Sequence, residues 1–135
     1  MNTRQKHEYL LLFHGSAWYN KLSPEELQQV MSRFQEWMDG MNAKGILKAA
    51  QPLARDGKTL AGKPARVVAD GPFAESKEAI AGYFLLAVDS FEEAVEIARS
   101  CPTLEYGQID VRPVADDCPL ASRARLLQPA ELAVA

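Results

Sequence analysis

Cysteine and histidine are scarce, with two of each among 135 residues. Cys101 and Cys118 have no close Cys-x-x-Cys spacing, which excludes a zinc knuckle and a disulfide framework, so both are expected as free thiols. Cys101 stands at the end of a helical stretch, before Pro102, where the negative end of the helix dipole disfavours a thiolate nucleophile. His7 and His14 are seven residues apart and would face opposite sides of a continuous strand, so no metal site is expected. There is no glycine-rich phosphate loop and no serine-hydrolase elbow, and no cofactor is indicated. A net charge of −3 without a run of Lys or Arg argues against nucleic-acid binding. The first apolar run, Tyr9 to Phe13, is too short for a signal peptide or a membrane span, which leads to the expectation of a cytoplasmic protein with no membrane association.

The length suits a single domain, expected over residues 1–115 with a tail at 116–135. Tyr9 to His14 reads as a strand with apolar residues on both faces, Tyr9, Leu11 and Phe13 against Leu10, Leu12 and His14. Ile80 to Val88 repeats the pattern, with Phe84, Leu86 and Val88 opposed to Tyr83, Leu85 and Ala87. A half-exposed antiparallel strand would alternate apolar with polar residues, so these two are expected to be covered on both sides. Two helices can cover one face, which leaves the other for a second copy of the chain. The first helix begins with Ser23 as N-cap, Pro24 and the capping-box Glu26, and Lys44-Gly45 closes it. Its stripe of Leu27, Val30, Met31, Phe34, Trp37, Met38 and Met41 reads as core packed on the sheet. Ile46 to Leu53 is a weaker strand, and a hairpin then leads through Ala65 to Ala69, with Lys58, Lys63 and Arg66 as a candidate anion-binding rim or simply solvated side chains. Ser90 and Glu93 start a second helix with Phe91, Ala94, Val95 and Ala98 inward, and Gln108 to Val114 alternates as an edge strand should. This order points to an α+β, ferredoxin-like sandwich: an antiparallel sheet with two helices on one face.

Asp70-Gly71-Pro72-Phe73 cannot continue a strand, because proline lacks the ladder N–H and glycine weakens it, so the chain must turn there. With the Ala74-Glu75-Ser76-Lys77-Glu78 that follows, this turn looks like the signature of the DGPF branch of the YCII-related proteins. Gly82-Tyr83-Phe84, Asp89-Ser90, Cys101-Pro102 and Val111-Arg112-Pro113-Val114 fit the same pattern, and the resemblance covers roughly Glu8 to Val114. It implies a ferredoxin-like subunit pairing into a dimeric α+β barrel, with a small-molecule site. YCII-type relatives are credited with a His–Asp pair whose histidine lies on the first helix, yet Ser23 to Ala43 holds no histidine here.

The residues leave His14 with Asp70 as the candidate acid–base pair, because a carboxylate beside an imidazole fixes its tautomer and supports proton transfer near neutral pH. The alternative is a histidine with a satisfied hydrogen bond and a turn aspartate accepting backbone N–H groups. Phe73, Ser76, Lys77, Tyr83 and Phe84 are the candidate substrate-binding residues. Two functions follow from the resemblance. One is a small enzyme of lyase type, eliminating halide from a hydroxylated aromatic ring, with an aromatic or anionic small molecule as substrate. The other is a non-enzymatic binding or regulatory module associated with extracytoplasmic-function sigma factors, a role that needs no acid–base pair. In either case a homodimer is expected.

Overall fold

The computed structural model describes residues 7–15, 18–70 and 80–127, with backbone alone at 68–70 and 127. The elements run β1 (His7–His14), a 3-10 turn (Trp18–Lys21), α1 (Pro24–Ala43), β2 (Leu47–Pro52), β3 (Lys58–Ala61), β4 (Arg66–Asp70), β5 (Ile80–Val88), α2 (Phe91–Arg99), a second 3-10 turn (Pro102–Glu105), β6 (Ile109–Pro113) and α3 (Pro119–Leu127). Four strands form one antiparallel sheet in the order β2-β5-β1-β6, which is the ferredoxin-like arrangement. The two strands with apolar residues on both faces, β1 and β5, are its centre, and the alternating β6 is an edge. Chemical pattern and position agree.

The helices start where their caps require. Ser23 Oγ accepts from the Glu26 N–H and the Glu26 carboxylate accepts from the Ser23 N–H, which satisfies two N-terminal donors of α1 at once. At α2 the Ser90 hydroxyl accepts from the Glu93 N–H, but the Glu93 carboxylate reaches one residue further back, to the Asp89 N–H. Gly45, at φ +71°, takes the left-handed turn after the C-cap Lys44 that a side chain would strain.

Of the three helices, α1 and α2 lie on one face of the sheet. Leu11, Leu86, Val30 and Val88 are the largest fully buried side chains, and Tyr9, Met41, Ile46, Phe84, Ala94 and Ala98 extend the core around them. Phe84 is its aromatic hub. Trp37 stacks on it at 5.4 Å, and Phe13 and Phe34 lie 5.0 and 5.8 Å away between ring centroids. Trp37 also donates from its indole N–H to the Ile97 carbonyl and the Ser100 hydroxyl, so one side chain ties α1 to the end of α2.

Three expectations need correction. The hairpin leading through Ala65 to Ala69 was expected within a single antiparallel sheet, whereas β4 pairs with β3 in a separate two-stranded sheet. Both edges of β5 are already taken, by β1 and β2. Met31 was counted in the core stripe of α1, yet its neighbours Val30 and Phe34 turn inward while Met31 stays 54% exposed at the stripe's margin. Phe91 at the start of α2 is likewise exposed on one side, its ring resting 5.9 Å from that of Tyr9, and Ile97 takes the inward place beside Ala94 and Ala98.

Gly82 sits where β5 meets β2. A Cβ there would lie 2.8 Å from the Gln51 carbonyl oxygen, a backbone atom that cannot swing aside. Gly82→Ala is therefore expected to loosen the β2–β5 pairing and cost on the order of 1–3 kcal/mol by overpacking. Leu11→Ala, which empties a site with no solvent exposure, should cost about 2–5 kcal/mol. Denaturant midpoints of the two variants check both values.

Candidate functional site

At one end of the sheet the strand termini and α1 do not close completely. The C-terminal end of β1, the start of β5 and the end of β2 meet the middle of α1 around a cleft of about 350 Å³. Phe13, Phe34, Met38, Pro52 and Phe84 supply its apolar walls, and no charged residue lines it; among its lining residues only Gln51 and Tyr83 carry polar side chains. Gly82 also lines the cleft, where the absence of a side chain keeps β2 and β5 close. A second recess of about 220 Å³ lies alongside and shares Phe13, Phe34 and Ala81 with the first. Its remaining lining comes from the first 3-10 turn (Trp18, Tyr19), from Met31 of α1, from His14-Gly15, and from Thr103, Gly107 and Gln108 before β6. Trp18 is held flat against Tyr106, with centroids 4.9 Å apart and planes 10° from parallel.

His14 ends β1 beside this recess. Its Nε2 lies 2.9 Å from Oδ2 of Asp110 on β6, and the imidazole is 20% exposed against 53% for the carboxylate. An ionised carboxylate only accepts, so this contact places a hydrogen on Nε2. The pair forms because Leu12 opposes Asp110 in the β1–β6 register, which sets the Asp110 side chain diagonally beside that of His14 on the same sheet face. Across β5, Leu12 opposes Tyr83 and Leu10 opposes Leu85, so this outer face carries His14, Asp110, Tyr83 and a patch of half-buried leucines.

The carboxylate found on His14 was not among the expected residues. Asp110 reads from the sequence as one polar member of an alternating edge strand, and only the strand register reveals its neighbour. Asp70, the expected partner, ends β4; its side chain lies outside the described residues, as do Phe73, Ser76 and Lys77. Tyr83 and Phe84, expected in one site, sit on successive positions of β5 and so emerge on opposite faces, although both contribute to the rim of the larger cleft. Met38, Trp18, Tyr19 and Gln108 were not expected in a site. The methionine-and-aromatic spacing of α1 signals packing, and the same side chains form core on one side and cleft wall on the other. Lys58, Lys63 and Arg66 are exposed on the β3–β4 hairpin and line neither cleft.

Among the described residues no group of three His, Cys, Asp or Glu side chains is placed to hold a metal ion. No helix among them is long and apolar enough to cross a membrane.

The YCII-related domain family matches this sequence over residues 8–116, most of the chain. A segment is also similar to an uncharacterized protein of Rhizobium meliloti (strain 1021), 41% identical over 51 residues. That alignment covers 36% of this chain and 41% of the relative, so the chain spans well under half of the relative's length.

Cys101 is buried, its sulfur 3.2 Å from the Thr103 hydroxyl. Burial pushes its thiol above the ordinary value of 9.0, and the hydrogen bonds from Thr103 offset this only in part. Cys118 is exposed. Under native conditions at pH 8, one of the two thiols is expected to react promptly with a thiol reagent and the other only on unfolding. A thiol with a raised folded-state pKa keeps its proton where the unfolded chain has begun to lose one. Its contribution to stability is therefore full below the ordinary value and is lost as pH climbs toward the raised one. Denaturation midpoints should fall as pH rises through the ordinary value of 9.0, and less steeply in Cys101→Ala.

Proposed function

The chain belongs to the YCII-related domain family, and from that premise and the chemistry of its larger cleft we propose that it binds a small, apolar, ring-bearing molecule between the sheet end and α1. The lining carries the reading: phenyl rings, a thioether and a proline surround about 350 Å³ without one charged side chain. Such a surface favours a planar apolar ring through buried area and edge or face contacts with Phe13, Phe34 and Phe84. It offers nothing to an anion, so of the aromatic and anionic ligands the aromatic one fits.

A second reading, acid–base turnover of the bound ring, is favoured by the contact between His14 and Asp110. An imidazole held by a carboxylate takes up a proton with its charge compensated, and His14 borders the recess that adjoins the cleft. Acting on a chlorinated hydroquinone, such a pair would support elimination. One hydroxyl proton moves to the chlorine-bearing carbon, the imidazole takes the other, and chloride departs with the bonding pair to leave a quinone. Without turnover the same cleft serves a binding or regulatory module, the role associated with sigma factors.

The outer sheet face supports assembly into a homodimer, and with it the dimeric barrel. Leu10, Leu12, Tyr83 and Leu85 stand half-buried there, on the side of the sheet away from α1 and α2. A second copy laid sheet to sheet would remove this patch from water. Sedimentation at micromolar concentration is expected to give a dimer, and Leu85→Asp a folded monomer or an aggregate. A wild-type monomer would remove the assembly.

Titration with chlorohydroquinone, read by ligand-observed NMR and by chloride release, tests the site. Saturable binding that Met38→Trp abolishes is the expected result, and no binding by the wild type would overturn the cleft. Chloride release lowered about 10²–10⁴-fold in Asp110→Asn, with binding intact, would establish turnover. Binding without release would leave the non-enzymatic module.

A further inference from the structure

The larger cleft and the recess beside it are separated by very little. Phe13, Phe34 and Ala81 belong to both, and the two phenyl rings meet edge-on at 6.2 Å. At about 220 Å³ the recess is smaller than the range of roughly 300–1,000 Å³ in which most ligand sites fall, yet an apolar cavity of about 150 Å³ is enough to hold benzene. Its size thus suits one ring, not a whole ligand. Its lining is mostly apolar, like that of the larger cleft, and includes residues able to hydrogen-bond, among them His14, Thr103 and Gln108.

Exposure around the recess points the same way. Met31 is 54% exposed and Tyr19 is 42% exposed, and both border it. These are large apolar side chains that the fold itself leaves uncovered. Methionine is the side chain best able to reshape around a variable ligand surface. Trp18, which also lines the recess, is held by its stack on Tyr106 and its edge contact with Tyr19 at 5.8 Å, so the lining combines a fixed ring with an adaptable methionine.

We propose that cleft and recess are two lobes of one site, and that the ligand is an elongated molecule of two apolar ring-sized groups. One ring lies against Phe84 and Met38, and the second lies between Trp18 and Met31 with its polar end toward Thr103 and Gln108. Phe34 is the partition over which the two groups are joined. This rests on the ring-binding reading of the larger cleft and adds the length of the ligand to it.

Phenol and 4-benzylphenol, titrated by calorimetry into wild-type protein and two variants, separate the two claims. Met31→Trp fills the recess from a half-exposed position that does not line the larger cleft, and Tyr19→Ala removes an exposed wall of the recess alone. The expected result is that 4-benzylphenol binds wild type at least about tenfold more tightly than phenol. Both variants should erase that advantage while phenol binds each within about twofold of wild type. If phenol binds but 4-benzylphenol gains nothing, or if its gain survives both substitutions, the two-lobed site is overturned and the ring-binding cleft stands. If neither probe binds, the cleft itself is refuted and the two-lobed site with it.

Discussion

The stacking of Trp37 on Phe84 is the contact on which the arrangement turns. Phe84 belongs to a central strand and Trp37 to the helix laid across it, and Phe13 from the neighbouring strand closes on the same ring. The indole N–H then reaches the end of α2. Two strands and two helices are thereby set relative to one another by one aromatic cluster and a forked hydrogen bond. Rings are stiff, with only two side-chain torsions each, so the cluster fixes distances that a wholly aliphatic core would leave more adjustable. The cleft is a by-product of that stiffness: beyond Phe84 the strands end and α1 continues, and planar side chains cannot fill the wedge between them.

Strand alternation divides the chemistry of the end of β1. Phe13 points toward the helices and lines both the cleft and the recess, while the next residue, His14, belongs to the outer face with Asp110. A bulge between Phe13 and His14 lies at this junction, where the register with β5 slips by a residue. Adjacent residues thus belong to an apolar surface and to a polar, ionisable one at the same strand end.

Much of the fold was legible in the sequence. Ser23-Pro24 with Glu26, Ser90 with Glu93, and Lys44-Gly45 mark helix ends through local hydrogen-bond chemistry. The two-sided apolar character of Tyr9 to Phe13 and Ile80 to Val88 marks central strands. What was not legible depends on distant registers. Nothing within Ile109-Asp110-Val111 says that the aspartate meets an imidazole 96 positions away. Nor does the sequence of Arg66 to Asp70 reveal whether its strand joins the main sheet or pairs only with its neighbour, since a short strand of that composition suits either. Met31 was misread because a helical stripe tells which side faces the core but not where the covering sheet stops.

Pro52 opposes Gly82 and the Leu53 N–H donates to the Ala81 carbonyl at 2.8 Å, so the sheet would close just as well if β2 and β5 were joined by a simple turn. The chain instead makes a long excursion between them that carries the β3–β4 hairpin. In polymer terms this is a loop whose ends are already pinned, and doubling or halving its length changes the closure entropy by only about 0.6 kcal/mol. The excursion can therefore be lengthened, shortened or exchanged with little consequence for the four-stranded sheet. Its root, at Pro52 and Ala81, is also the lip of the apolar cleft. A segment whose length the sheet hardly constrains is thus rooted at the mouth of the cleft, so a change in its length can alter access there while the scaffold beneath stays the same.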